Sequence, residues 1–152
     1  PVAAGSDGAA VAIAGINAQY RTRVFGQYSD DVLYGTETIS IGSAYSVRGY
    51  KEASLSSNQG GYWRNDILFS LRPEWVGNWL TSVTPFIGWD VGFIRDQERR
   101  SGKYAKLKGW AIGIMAGGKH WSTAMTFSQP IDAPNYLAST GDEFEFSLTA
   151  KF

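Results

Sequence analysis

The chain has 152 residues, 14 basic and 14 acidic side chains, and no cysteine. Zero net charge argues against a nucleic-acid partner, which requires a basic face, and the lack of cysteine excludes a disulfide framework and a thiolate metal site. Eighteen glycines and 14% aromatic residues describe strands and turns in one domain or part of one.

No stretch approaches the ~18 to 20 continuous apolar residues of a membrane helix, and the opening residues carry no charged-then-apolar leader pattern. The opening Pro1-Val2-Ala3-Ala4-Gly5-Ser6-Asp7-Gly8 reads as a segment cut from a longer protein. From there the dominant signal is period two, in segments of about ten residues, the length a tilted strand needs to cross a bilayer. The first sets Ile16, Ala18, Tyr20, Thr22 and Val24 against Asn17, Gln19, Arg21 and Arg23. A short strand is expected around residues 37–42, followed by a long polar connection over residues 43–60. Next, Trp63, Ile67, Phe69 and Leu71 oppose Tyr62, Arg64, Asp66, Ser70 and Arg72, up to a tight turn at residues 75–79.

The following strand opposes Pro85, Ile87, Trp89, Val91 and Phe93 to Thr84, Phe86, Gly88, Asp90 and Gly92. A basic run from Arg95 to Lys108 also holds Asp96 and Glu98, and reads as a solvated loop. Trp110, Ile112, Ile114 and Ala116 then oppose Gly109, Ala111, Gly113, Met115 and Gly117, and Gly117-Gly118-Lys119 makes a tight turn. Trp121, Thr123, Met125 and Phe127 stand against His120, Ser122, Ala124, Thr126 and Ser128. After a polar loop over residues 131–141, the last segment alternates Phe144, Phe146, Leu148, Ala150 and Phe152 with Glu143, Glu145, Ser147, Thr149 and Lys151.

About seven strands joined alternately by short and long connections show the asymmetry of an outer-membrane barrel, with short periplasmic turns and long outer loops. The tryptophans fall mostly near strand ends, where an aromatic girdle belongs. The expected fold is all-β, an antiparallel transmembrane β-barrel. A soluble sandwich is the competing reading, but its strands average five or six residues. A small pore-forming barrel would need residues 1–15 to supply an eighth strand.

A glycine-punctuated stretch carries a more specific signal. Ser40-Ile41-Gly42 ends a strand, Val47-Arg48-Gly49-Tyr50 lies in the following loop, and Ser54-Leu55-Ser56 leads to Gly61-Tyr62-Trp63-Arg64-Asn65-Asp66. Upstream stand Gly26-Gln27-Tyr28-Ser29-Asp30-Asp31 and Leu33-Tyr34-Gly35-Thr36-Glu37, and downstream Pro85-Phe86-Ile87-Gly88-Trp89-Asp90-Val91-Gly92. In this order the motifs resemble the two-partner secretion transporters, the TpsB group of haemolysin, haemagglutinin and contact-dependent-inhibition secretion proteins. The resemblance covers roughly residues 14–152.

It implies about seven strands from the C-terminal part of a sixteen-stranded outer-membrane barrel, with the periplasmic domains and N-terminal strands outside this sequence. It implies that the loop over residues 43–60 folds back into the lumen, and that the whole protein passes a large unfolded exoprotein, an adhesin, haemolysin or contact-dependent toxin, to the surface. Outer-membrane lipid and the barrel-assembly machinery are the further implied partners, with Phe152 as the assembly signal. Val47, Arg48, Gly49, Tyr50, Asp90 and Gly92 are the implied functional loop and its partner strand. Tyr62, Arg64 and Asp66 would line or brace the lumen. An assembly or insertase barrel of the same superfamily would share the Val-Arg-Gly-Tyr loop, but the Gly61-Tyr62-Trp63-Arg64-Asn65 continuation favours secretion.

The central pair also follows from physical chemistry. Asp90 faces inward by the period-two count, and a guanidinium confined in a lumen needs a carboxylate that its planar fork can engage bidentately. Arg48 is therefore expected to pair with Asp90. Gly88, Gly92, Gly109, Gly113 and Gly117 share the inward side, either to relieve crowding or to make room for the tucked loop.

Chemistry-bearing clusters are few. His120 is the sole histidine and lacks the convergent ligands of a metal site. Glu143 and Glu145 share a face and are expected to sit opposite Lys or Arg of a neighbouring strand. The Gly-rich stretch from Gly113 to Gly118 lacks the helix a phosphate cradle needs. No enzyme activity, cofactor or metal is expected.

Overall fold

The computed structural model describes residues 2–13, 16–29, 38–50, 54–71, 74, 79–95, 104–137 and 141–150. Seven long strands form one antiparallel sheet: β1 (Val2–Ile13), β2 (Ile16–Gln27), β5 (Gly60–Ser70), β6 (Ser82–Arg95), β7 (Tyr104–Gly117), β8 (Trp121–Asp132) and β9 (Glu143–Ala150). Two short strands, β3 (Ile39–Ile41) and β4 (Leu55–Ser57), make a separate hairpin against the inner side of that sheet.

The number of wall strands is as expected, but the membership differs. The short strand expected at residues 37–42 belongs to the inner hairpin, and its place in the wall is taken by β1. A strand built mostly of alanine, glycine and serine gives little apolar contrast, so its alternation is faint in the sequence. The run from Arg95 to Lys108 is likewise only partly a loop, because residues 104–108 are the first turn-out of β7. The turn at residues 75–78 and the terminal Phe152 lie outside the described residues.

Period two sets the two faces. On β6 the even residues from Phe86 to Ile94 are buried, and Ile87, Trp89 and Phe93 are 44%, 40% and 49% exposed. Hydrophobic side chains on the exposed face and buried polar ones on the concave face invert the pattern of a soluble sandwich.

The register aligns the outward residues into rows. Tyr20, Ile67, Ile87, Ile112, Phe127 and Phe144 are successive cross-strand partners. The next row toward the long loops holds Thr22, Asn65, Trp89, Trp110 and Gln129, and the one beyond holds Val24, Trp63, Val91, Lys108 and Asp132. The tryptophans mark strand ends only in part, since Trp63 is the fourth residue of β5 and Trp79 lies in the turn just before β6. Trp89 and Trp110 oppose each other well inside β6 and β7, and among the described wall residues Trp121 alone opens a strand. From Trp110 to Gly117 on β7 is ~24 Å along the strand, or ~18 Å of height at a ~40° tilt, most of the ~25 Å apolar band of outer-membrane barrels. β6 and β7, each of 14 residues, overshoot that band at the outer end.

The core lies on the concave side at this outer end. Ile39, Ile41, Val47 and Tyr50 from the hairpin and its loop pack with Ile94, Ala105 and Leu107 of the wall, and Phe25 and Tyr62 border them. The connection over residues 43–60, polar in composition, thus contributes two fully buried side chains, Val47 and Tyr50. Each such side chain contributes roughly 1.5 to 3 kcal/mol.

Candidate functional site

Residues 42–50 run from β3 as an irregular segment laid against the inner face of β6, β7 and β8. Gly42 and Gly49 both take positive φ, 94° and 91°, which glycine adopts without a Cβ penalty. At Gly49 a Cβ would also fall on the backbone of Gln129 and Pro130. This double constraint explains why glycine follows Arg48.

Arg48 is 1% exposed. Its Nε donates to Asp90 Oδ2 at 2.7 Å and its Nη2 to Asp90 Oδ1 at 2.8 Å, a bidentate fork. Its backbone N–H donates to the same Oδ2 at 3.0 Å, so Asp90 fixes both the side chain and the chain path. Nη2 also lies 2.7 Å from Asp66 Oδ1, off the hydrogen-bonding direction and thus a charge contact. The guanidinium carbon stands 6.0 Å from the Phe86 ring centroid.

Asp66 in turn receives Arg64 Nε at 3.3 Å, and Arg64 Nη1 donates to the Ala44 carbonyl at 2.5 Å. Two arginines and two aspartates thus form a charge-balanced cluster. Burial opposes the Arg48 charge, but the hydrogen bonds and charge of Asp90, followed by Asp66, outweigh it and raise its pKa.

The wall leaves room for the loop. A Cβ at Gly88 would strike the Arg48 guanidinium, and one at Gly109 the Arg48 carbonyl. One at Gly92 would come within 2.7 Å of Val47 Cγ2. Gly113 and Gly117 face only wall neighbours, Phe86, Met125, Ser82 and Trp121 among them.

Tyr50 is the second anchor, and the sequence does not reveal how it works. Between β7 and β8 the register slips by one residue, because Lys108 pairs with Asp132 and Gly109 with Pro130, leaving Ile131 as a bulge. Pro130 has no N–H to offer the ladder. The Tyr50 hydroxyl fills this gap, accepting the Lys108 N–H at 3.2 Å and sharing its proton between the carbonyls of Lys108 at 2.6 Å and Asp132 at 2.7 Å. Burial raises the pKa of Tyr50.

Tyr62 faces inward and stacks on Phe25, with centroids 5.6 Å apart. Below the loop, toward the short turns, a cavity of 670 Å³ is lined by Arg21, Arg23, Arg64 and Glu145 among others. On β8 the register partners of Glu143 and Glu145 are Ser128 and Thr126 rather than the Lys or Arg the sequence suggested, and Arg64 shares the cavity with Glu145. His120 sits in the exposed turn after β7.

Asn65 departs from the apolar pattern of its face. It is fully buried on the outward side, where Tyr20 and Thr22 donate to its Oδ1 at 2.5 and 2.9 Å beneath the stacked Tyr20 and Trp89 rings.

A lipid-facing antiparallel wall with a loop ion-paired to its inner face defines the class, a transmembrane barrel with a tucked lumen loop. Residues 9–116 match the family described as haemolysin secretion/activation protein ShlB/FhaC/HecB, and the chain belongs to it. The outer membrane transporter CdiB of Escherichia coli O6:K15:H31 is 38% identical over 118 residues, covering 77% of this chain and 19% of the relative. CdiB of Dickeya dadantii is 33% identical over 118 residues, covering 78% of this chain and 21% of the relative. The haemolysin transporter HpmB of Proteus mirabilis is 35% identical over 94 residues, 62% of this chain and 15% of the relative. The solved structure of CdiB from Escherichia coli superposes with a TM-score of 0.77 at 28% identity, covering 86% of this chain and 24% of that one. The chain therefore spans about a seventh to a quarter of the length of these relatives. It is a segment of an outer-membrane barrel wall.

Proposed function

We propose that this segment serves a two-partner secretion transporter, passing a large unfolded exoprotein across the outer membrane without enzymatic chemistry. Among the described residues β1 and β9 each have one paired edge only. Open edges are prohibitive in lipid, which supports the reading that further strands complete a barrel of about sixteen. The partner is an adhesin, haemolysin or contact-dependent toxin, and assembly uses the barrel-assembly machinery, with Phe152 proposed as its recognition residue.

The observation that carries the reading is the buried Arg48 fork on Asp90, which ties a loop across the lumen of a wall of this family. In this role Val47, Arg48, Gly49 and Tyr50 hold the loop, Asp90 and Gly92 receive it, and Arg64 and Asp66 brace it. The loop occupies space a polypeptide must traverse, so its hold sets the pore's conformation.

The test is Arg48→Ala in a complete transporter containing this segment. Secretion of the partner should fall while heat-modifiable gel mobility shows an assembled barrel. Undiminished secretion would remove the loop from the mechanism.

A further inference from the structure

Beyond the Trp89 and Trp110 row, the outward face changes character. Lys106 and Lys108 project from β7, opposite Phe93 and Val91 of β6. Phe93 and Tyr104, 49% and 57% exposed, meet edge to face with centroids 6.2 Å apart. Lys108 approaches Asp132 at 3.5 Å, a half-exposed contact of little strength. Lys106 makes no ion pair among the described residues.

The opposite end of the same face differs. There the outward wall residues Ala116, Thr123, Leu148, Trp121 and Ala150 carry no charge, and the exposed Lys119 stands in the turn between β7 and β8 rather than on the wall. A basic row at one end alone is thus a local feature rather than a general rim. It stands at the loop end of the wall, the outer side of such barrels. A lysine beside exposed aromatic rings at a membrane boundary lays its stem on apolar surface and lifts its ammonium into the headgroup zone.

We propose that Lys106 and Lys108, above the Trp89 and Trp110 pair, form a docking surface for the phosphate-bearing headgroup of an outer-leaflet lipid. The rings contact the upper acyl region and the two ammonium groups meet the phosphates. The choice of lipid rests on charge complementarity and on height, since these amines lie just past the end of the apolar rows. The inference uses the membrane orientation of the wall and not the role of Arg48, so it stands or falls apart from secretion.

The experiment is native mass spectrometry of a complete transporter containing this segment, with lipid A bearing both phosphates and with fully dephosphorylated lipid A. The intact protein should retain the phosphorylated form preferentially. A Lys106→Gln, Lys108→Gln variant should lose roughly five- to thirty-fold of that retention, as expected for two juxtamembrane charges. Lys106→Arg with Lys108→Arg should keep it. Equal retention of both lipids by the intact protein, or unchanged binding by the glutamine variant, would overturn the proposal. Should the glutamine variant fail to assemble, loss of the preference in the intact protein at high salt supports the proposal, and persistence contradicts it.

Discussion

Arg48 illustrates how a buried charge is tolerated, because Asp90 meets its fork and its backbone N–H together. Removing one member of such a pair costs roughly 3 to 5 kcal/mol, since the other is left buried and unpaired. Asp90→Asn should therefore free the loop and hasten protease cleavage between residues 43 and 60, and wild-type cleavage rates would show that Asp90 does not hold it. Arg48→Lys keeps the charge but loses the fork, so cleavage should fall between wild type and Asp90→Asn. Tyr50→Phe removes one hydrogen-bonding group from the bulge and should cost roughly 1 to 2 kcal/mol of loop stability, read by hydrogen exchange at Lys108. The Arg48 and Asp90 pair is legible in the sequence because period two orients Asp90 and the motif marks Arg48. The Tyr50 contact is not legible, because its target exists only once β7 and β8 pair around Pro130 with a bulge.

At the scale of elements, loop and wall are shaped to each other through missing side chains. Gly88, Gly92 and Gly109 lie where the loop touches β6 and β7, whereas Gly26 meets only the Gly60 carbonyl oxygen, at 3.9 Å from a built Cβ. Gly109→Ala places a methyl group against the Arg48 carbonyl, itself part of a chain pinned by Asp90, so neither side yields without breaking a contact. The variant should assemble normally yet show the loop cleavage of Asp90→Asn, while Gly26→Ala should behave as wild type. Equal protection of both would mean the loop has slack. Sequence alone cannot tell Gly88, Gly92 and Gly109 from Gly113 and Gly117, because all five share the inward face and only the loop's path distinguishes them. The same limit explains the exchanged strand. Residues 37–42 have the composition of a wall strand, but Ile39, Ser40 and Ile41 pair with Ser57, Ser56 and Leu55 from the far side of their own loop.

At the scale of the whole molecule, the outward rows fix how the wall sits in the bilayer. The apolar stretch runs from the Trp121 level to the Trp89 and Trp110 level, and Ile114, 38% exposed and partnered by Pro85 and Met125, lies midway. An arginine at the midplane of such a face costs roughly 2 to 4 kcal/mol, falling to about 0 to 1 near the interfaces. Ile114→Arg should then lower barrel stability by that larger amount, while Lys108→Arg should leave it nearly unchanged. Both are read from urea unfolding of a complete transporter in lipid vesicles, with gel mobility reporting the folded fraction. The contrast tests orientation and height together. If Ile114 faced the lumen or lay outside the apolar band, the two variants would differ little. A large cost at Ile114 with none at Lys108 places the bilayer boundary between them, at the tryptophan row.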